Sequence, residues 1–153
     1  MNIVEQLVKI YQDNELDNYG VLTDLEAERY YSTMLANGRI QTLTDHYNII
    51  GFIESWRVNF EQLGRIVCWT NFSALKEDIT KGDIAWVSDV WVSKDRRGDG
   101  EVVKKLIEMF KEANQDALYF LSQRVKTDGK AKYIRVYDKA NGYKLNKENS
   151  DGK

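Results

Sequence analysis

The segment Arg96-Arg97-Gly98-Asp99-Gly100 sets two guanidinium groups beside two glycines, directly before a stretch with helical periodicity. Those residue types in that order make an anion site. Glycine lets backbone N–H groups approach an oxyanion closely. A helix N-terminus adds unpaired donors and a partial positive charge, and arginine adds charge-assisted hydrogen bonds. The ligand this suits is a phosphate or pyrophosphate. Two common phosphate loops are excluded. No G-x-x-x-x-G-K-[ST] occurs, and positions 98, 100 and 103 read Gly, Gly and Val, which is not G-x-G-x-x-G.

Such a loop must be held by a strand before it and a helix after it, and both are legible. Ile84 to Val92 is the clearest strand, with Trp86, Val87, Val90, Trp91 and Val92 making both faces largely apolar, as in a sheet covered on both sides. After the loop, Val102, Val103, Leu106, Ile107 and Phe110 share one helical face, with Lys104, Lys105, Glu108, Lys111 and Glu112 opposite.

The remaining elements are less even. Ile3, Val4, Leu7, Val8 and Tyr11 form one face of a helix that ends before Gly20. Thr23 and Glu26 have capping-box spacing, so a second helix starts there, buries Ala27, Tyr30, Tyr31 and Met34, and stops at Asn37-Gly38. Arg39 to Thr44 and Asn48 to Val58 read as a hairpin turning through Asp45-His46-Tyr47. His46, at that turn, is expected to be solvated. Within residues 59 to 82, Ile66, Val67, Cys68 and Trp69 suit a strand or a buried helix equally. Ala117 to Ser122 reads as a strand, Lys130 to Ala140 as a helix with Tyr133, Ile134 and Tyr137 along one side, and Tyr143 to Leu145 as a short strand. The polar tail from Asn146 is expected to fray. Together these give one mixed α/β domain over residues 1 to 153.

Composition narrows the functional classes. Net charge is −2 with 42% hydrophobic residues, and the isoelectric point is about 5.5. There is no bulk electrostatic reason to bind nucleic acid or anionic lipid. One cysteine and one histidine fall short of the roughly three or four ligands of a zinc site. The lone Cys68 excludes an internal disulfide and fits a reducing compartment, and Met1 to Lys9 does not read as a signal peptide, so a cytoplasmic protein is expected. No run reaches the ~20 apolar residues of a membrane span.

Asp89-Val90-Trp91-Val92-Ser93-Lys94-Asp95-Arg96-Arg97-Gly98-Asp99-Gly100 resembles the "strand, V-x-P-x-x-R-G-x-G-x-G, helix" signature of the GNAT superfamily of N-acetyltransferases. Tyr137-Asp138-Lys139-Ala140-Asn141-Gly142-Tyr143 is similar to that family's closing Y-x-K-x-G-F segment with one residue added, and Ile49-Ile50-Gly51-Phe52-Ile53 is similar to its central hairpin strand. The resemblance spans roughly residues 39 to 145. It departs in three places: Lys94 replaces a common proline, the chain opens on a helix in place of a first strand, and the loop fits in either of two registers, one putting Val102 where Gly or Ala is usual and the other putting Asp95 where Arg or Gln is usual.

The resemblance implies a mixed, mostly antiparallel sheet with helices on both faces, of the acyl-CoA N-acyltransferase type. It implies acetyl-CoA as cosubstrate. Backbone groups of Val90 and Val92 would meet the pantetheine arm, and Arg97, Gly98, Asp99, Gly100 and Val102 would hold the pyrophosphate. It implies direct acetyl transfer to an amine, on a small molecule or a protein. Tyr137 would protonate the departing thiolate. Asp89 would be the base, directly or through water, with Glu54 as the second choice. The alternative reading is a non-catalytic module of the same fold that binds coenzyme A or a protein partner. The acceptor and the oligomeric state, a homodimer included, stay open.

Overall fold

The computed structural model describes residues 1–14, 22–68, 72–98, 100–125 and 131–145. The expected helix end before Gly20, Trp69, Asp99 and the tail from Asn146 lie outside them.

Two helices come first, α1 (Ile3–Asn14) and α2 (Asp24–Ala36). Thr23 caps α2 as its spacing suggests. The Glu26 N–H donates to Thr23 Oγ1 at 3.2 Å and the Thr23 N–H donates to Glu26 Oε1 at 3.0 Å. The expected inner face of Ala27, Tyr30, Tyr31 and Met34 is buried.

The hairpin follows as β1 (Ile40–Asp45) and β2 (Asn48–Val58). Its two-residue turn puts His46 at φ 49° and Tyr47 at φ 70°, the left-handed pair that a right-twisted hairpin requires. Both side chains are exposed. The ambiguous middle segment is a helix, α3 (Phe60–Cys68). Asn59 and Gln62 start it by reciprocal hydrogen bonds, Gln62 N–H to Asn59 Oδ1 at 2.9 Å and Asn59 N–H to Gln62 Oε1 at 3.0 Å.

Next come β3 (Ile84–Val92), a single turn of 3-10 helix at Lys94–Arg96, α4 (Gly100–Ala113), β4 (Tyr119–Val125), β5 (Ala131–Asp138) and the two-residue β6 (Lys144–Leu145). Where a helix was expected over Lys130 to Ala140, Ala131–Asp138 is a strand and Lys139–Asn141 a single 3-10 turn; Lys130 lies outside the described residues. Tyr137 pairs with Phe120 and Val136 with Leu121 across β4 and β5, so cross-strand packing of aromatic and β-branched side chains wins over helical spacing.

The six strands form one sheet in sequence order. Every neighbouring pair is antiparallel except β3 and β4, which run parallel. This is the mixed, mostly antiparallel sheet that was expected, with helices on both faces. Phe52, Trp56, Val58, Ile84 and Trp86 bury one face against Leu7, Tyr11, Tyr30 and Tyr31 of α1 and α2. Ile53, Ala85 and Phe120 bury the other against Val102, Leu106 and Phe110 of α4. Val103 and Ile107, expected on that inner face of α4, are partly exposed. Among the described residues no helix is long and apolar enough to cross a membrane.

Candidate functional site

The site begins where a pairing stops. β3 and β4 are in register only from Ile84–Tyr119 to Trp86–Leu121. Beyond that point β3 continues along β2 to Val92, and β4 continues along β5. The two strands separate, and a cleft of about 630 Å³ opens between them. Val87, Asp89 and Val90 of β3, Ile107 and Phe110 of α4, and Tyr137 of β5 are among its walls. Val90 and Ile107 are 43% and 41% exposed, which leaves apolar surface lining an open groove.

The edge of β3 that faces this cleft turns backbone groups outward, away from β2. The Ser93 N–H donates to the Ile50 carbonyl at 2.9 Å. Residues alternate in an antiparallel ladder between those bonded to the neighbour and those turned away. Ser93 and Trp91 therefore face β2, whereas Val90 and Val92 turn their N–H and C=O groups toward the cleft. The Val92 carbonyl takes a hydrogen bond from Arg97 Nε at 2.9 Å.

A bulge in β3 places the acids. Glu54 is opposite Asp89, and the next residue of β2, Ser55, is opposite Val87. Ser88 is thus an extra residue on β3, and such an insertion turns neighbouring side chains to the same face. Ser88 Oγ donates to Glu54 Oε1 at 2.7 Å, and Tyr30 Oη donates to the same oxygen at 2.9 Å. Glu54 is 1% exposed. Burial, and the Glu54 charge after it, push the Asp89 carboxyl up to about 7, against a backbone hydrogen bond from Val90. Asp89 lines the cleft; Glu54 is set behind it, toward α2.

Tyr137 reaches the same cleft from the other side. It stands opposite Phe120 on β4 and packs against the cluster under α4. Asp89 lies near Tyr31 of α2. The acid and the phenol therefore approach the opening from opposite faces of the sheet. The cleft also carries Ser88 and Arg135, which the sequence did not single out, and Lys111, which was expected on the outer face of α4.

At the end of β3 the loop differs from its reading in one respect. Arg96 already has an anion from its own chain: its guanidinium makes a 2.6 Å ion pair with Asp45 at the end of β1. Arg97 is exposed and spends one of five N–H donors on Val92. Gly98 has φ +91°, and a Cβ added at Gly98 or Gly100 would meet no atom within 4 Å. Asp99 lies outside the described residues. Val102 points inward: it is 4% exposed and packs under α4, so its side chain is directed away from the loop's outer surface. Position 102 bears on an anion only through its backbone and the helix start.

The site thus gathers an apolar groove, a strand edge with outward backbone groups, a glycine loop at a helix N-terminus, a carboxyl that titrates near neutrality and a phenol. The described residues contain no cluster of three or more His, Cys, Asp or Glu that could hold a metal ion.

The sequence matches no protein-family model and no curated protein. Among solved structures it is similar to GphF, a GNAT-like decarboxylase in complex with isobutyryl-CoA, at 12% identity and a TM-score of 0.48. The similarity covers 69% of this chain and 54% of that one, so the chain spans about half that protein's length.

Proposed function

We propose that this protein binds an acyl-coenzyme A, with acetyl-CoA the first to test, in the cleft between β3 and β4, and transfers the acyl group to an amine. The single observation that carries this reading is the strand edge at Val90 and Val92, whose outward backbone groups lead straight into the Gly98–Gly100 loop and the start of α4. An extended amide-bearing arm can add to such an edge as a short strand would. The loop at its end suits a pyrophosphate. The inward side chain of Val102 leaves the helix start open to it. The GNAT-like signature in residues 89–100 supports the same ligand.

A bound acyl-CoA supplies the thioester, and this chain's residues manage the protons. An amine at neutral pH is mostly ammonium and must lose a proton before its nitrogen can attack. Asp89 accepts that proton, directly or through a water. As the C–N bond forms and the C–S bond breaks, the Tyr137 hydroxyl gives its proton to the thiolate, and the second proton shed by the new amide nitrogen passes to solvent, from which the tyrosinate is reprotonated. Apolar walls such as Ile53, Val87 and Phe110 limit water around the thioester.

Calorimetric titration with acetyl-CoA and with coenzyme A tests the binding step. Saturable binding is expected, and its loss is expected in Arg97→Glu and Gly100→Trp. No heat at near-millimolar ligand, or unchanged affinity in both variants, overturns the assignment. Binding without transfer across a panel of amines and proteins would make the chain a coenzyme A-binding module.

A further inference from the structure

A carboxylate is unfavourable inside a protein unless donors meet it. Glu54 is 1% exposed and receives two donors on one oxygen, Tyr30 Oη at 2.9 Å and Ser88 Oγ at 2.7 Å. Tyr30 is itself fixed by Trp56 Nε1, which donates to its hydroxyl at 2.8 Å. The chain of hydrogen bonds runs from α2 and β2 to the bulge in β3. Asp89 is the cross-strand partner of Glu54, and Ser88 belongs to both settings: it holds Glu54 and lines the cleft beside Asp89.

We infer that Glu54 is a positioning residue for the base: fixed as a buried carboxylate by Tyr30 and Ser88 and set across the β2–β3 ladder from Asp89, it makes Asp89 a better proton acceptor than an isolated aspartate. This rests on the reading of Asp89 as the base. It gives Glu54 a role other than that of a second base, since Glu54 lies behind Asp89 and is not among the residues lining the cleft.

The physical need is plain. An isolated aspartate, with a pKa of about 3.9, is too weak to draw a proton from an ammonium group. Burial supplies the larger part of the rise at Asp89, and the neighbouring like charge of Glu54 adds to it by opposing the second ionisation. The bulge supplies the geometry by turning Ser88 toward Glu54 next to Asp89. The other groups facing the pair are the phenols of Tyr30 and Tyr31 on α2, both pushed up by burial and by the Glu54 charge, and, across the cleft, Lys111 of α4 with Arg135 and Tyr137 of β5. The two phenols stay neutral and cannot replace the charge of Glu54.

The test is a titration of aspartate side-chain carboxyls by NMR on carbon-13-labelled full-length protein, with Asp89 assigned from Asp89→Asn. A wild-type midpoint near 7 is expected, falling by about one pH unit or more in Glu54→Gln. The glutamine keeps an acceptor oxygen for Tyr30 and Ser88 and removes the charge. Ser88→Ala, which takes away one donor, is expected to move the midpoint down by less, because the Glu54 carboxylate is then less stabilised and carries less charge while Asp89 titrates. An unchanged Asp89 midpoint in folded Glu54→Gln overturns the inference. If that variant does not fold, an unmoved midpoint in Ser88→Ala overturns it instead. No acyl-CoA is present in this titration, so failure of acyl transfer leaves its outcome intact, and failure of the titration leaves coenzyme A binding intact.

Discussion

Val102 of α4 lies directly over Gly51 of β2: a Cβ built at Gly51 would sit 3.0 Å from Val102 Cγ1, 3.1 Å from Leu106 Cδ1 and 3.2 Å from the Trp91 carbonyl oxygen. The valine that departs from the GNAT-like signature is matched by a glycine beneath it. The helix that opens at the glycine loop is thereby seated close on the sheet. Two of the three neighbours are side chains that can shift, but the third is backbone of β3. Gly51→Ala is therefore expected to destabilise the fold by about 1–3 kcal/mol through overpacking. In that background Val102→Ala should cost less than it does alone, because it makes room for the added methyl. Urea unfolding of the two single variants and the double variant measures the coupling. Additive effects would show that the two positions do not share the space.

Gly82 is a stricter case. It has φ +146°, and a Cβ there would lie 2.4 Å from the Val58 carbonyl oxygen and 2.5 Å from its carbon. Its own carbonyl accepts from Arg57 Nε at 2.9 Å. Arg57 is 3% exposed and also pairs with Asp116 at 2.9 Å, which holds that carboxyl below its usual range. Moving Gly82 disturbs all of this at once. Gly82→Ala is expected to cost about 3 kcal/mol or more. Gly38→Ala, at φ +70° with no atom near the new Cβ, is expected to cost about 1 kcal/mol. Equal losses in the two, by denaturant unfolding, would show that crowding at Gly82 is not what matters.

How far the sequence speaks can be judged at particular residues. The α2 cap was legible because Thr23 and Glu26 satisfy each other locally. The same signal stood at Asn59 and Gln62, with amide side chains in place of hydroxyl and carboxylate, and would have settled α3 as a helix. Lys130 to Ala140 misled because Tyr133, Ile134 and Tyr137 fit one helical side. The run Tyr133-Ile134-Arg135-Val136-Tyr137 is also rich in strand formers, and only β4 beside it decides. Arg96 looked like a phosphate ligand because its partner Asp45 is 51 residues away. The cleft itself was hidden. It depends on β3 and β4 pairing for three residues and then parting, which no local pattern encodes. The Glu54–Asp89 pairing likewise needs both a strand register and a bulge.

Asp89 gives a pH dependence whose sign is fixed. Its carboxyl is raised from an ordinary value of 3.8 to about 7 in the folded chain. Between those limits the unfolded chain has released the proton and the folded chain still holds it. Stability therefore falls as pH rises from about 4 to about 7 and is flat above. Asp89→Asn removes this contribution. It is expected to be more stable than wild type at pH ~8 by on the order of 1–4 kcal/mol, and close to wild type near pH 3. Denaturant midpoints across that range check it. A constant difference at all pH values would mean that Asp89 titrates normally. On the proposed activity, the same group predicts kcat/KM rising with pH through about 7.

Tyr137 separates binding from turnover. Its ring packs against the cluster under α4, and the expected chemistry needs only its hydroxyl. Tyr137→Phe keeps the ring, so stability and coenzyme A affinity should stay near wild type. Turnover should fall roughly tenfold to a thousandfold, because the thiolate then leaves without a positioned acid. Arg97→Glu should do the reverse and weaken coenzyme A binding at the loop. It would also lose the hydrogen bond to the Val92 carbonyl. Arg97→Gln, which removes the charge without reversing it, is expected to fall between. Calorimetry with coenzyme A, set beside a thiol-release assay under saturating acetyl-CoA, distinguishes the two residues. Wild-type turnover in Tyr137→Phe would remove the phenol from the mechanism and leave Asp89 as the one proton-handling side chain proposed in the cleft.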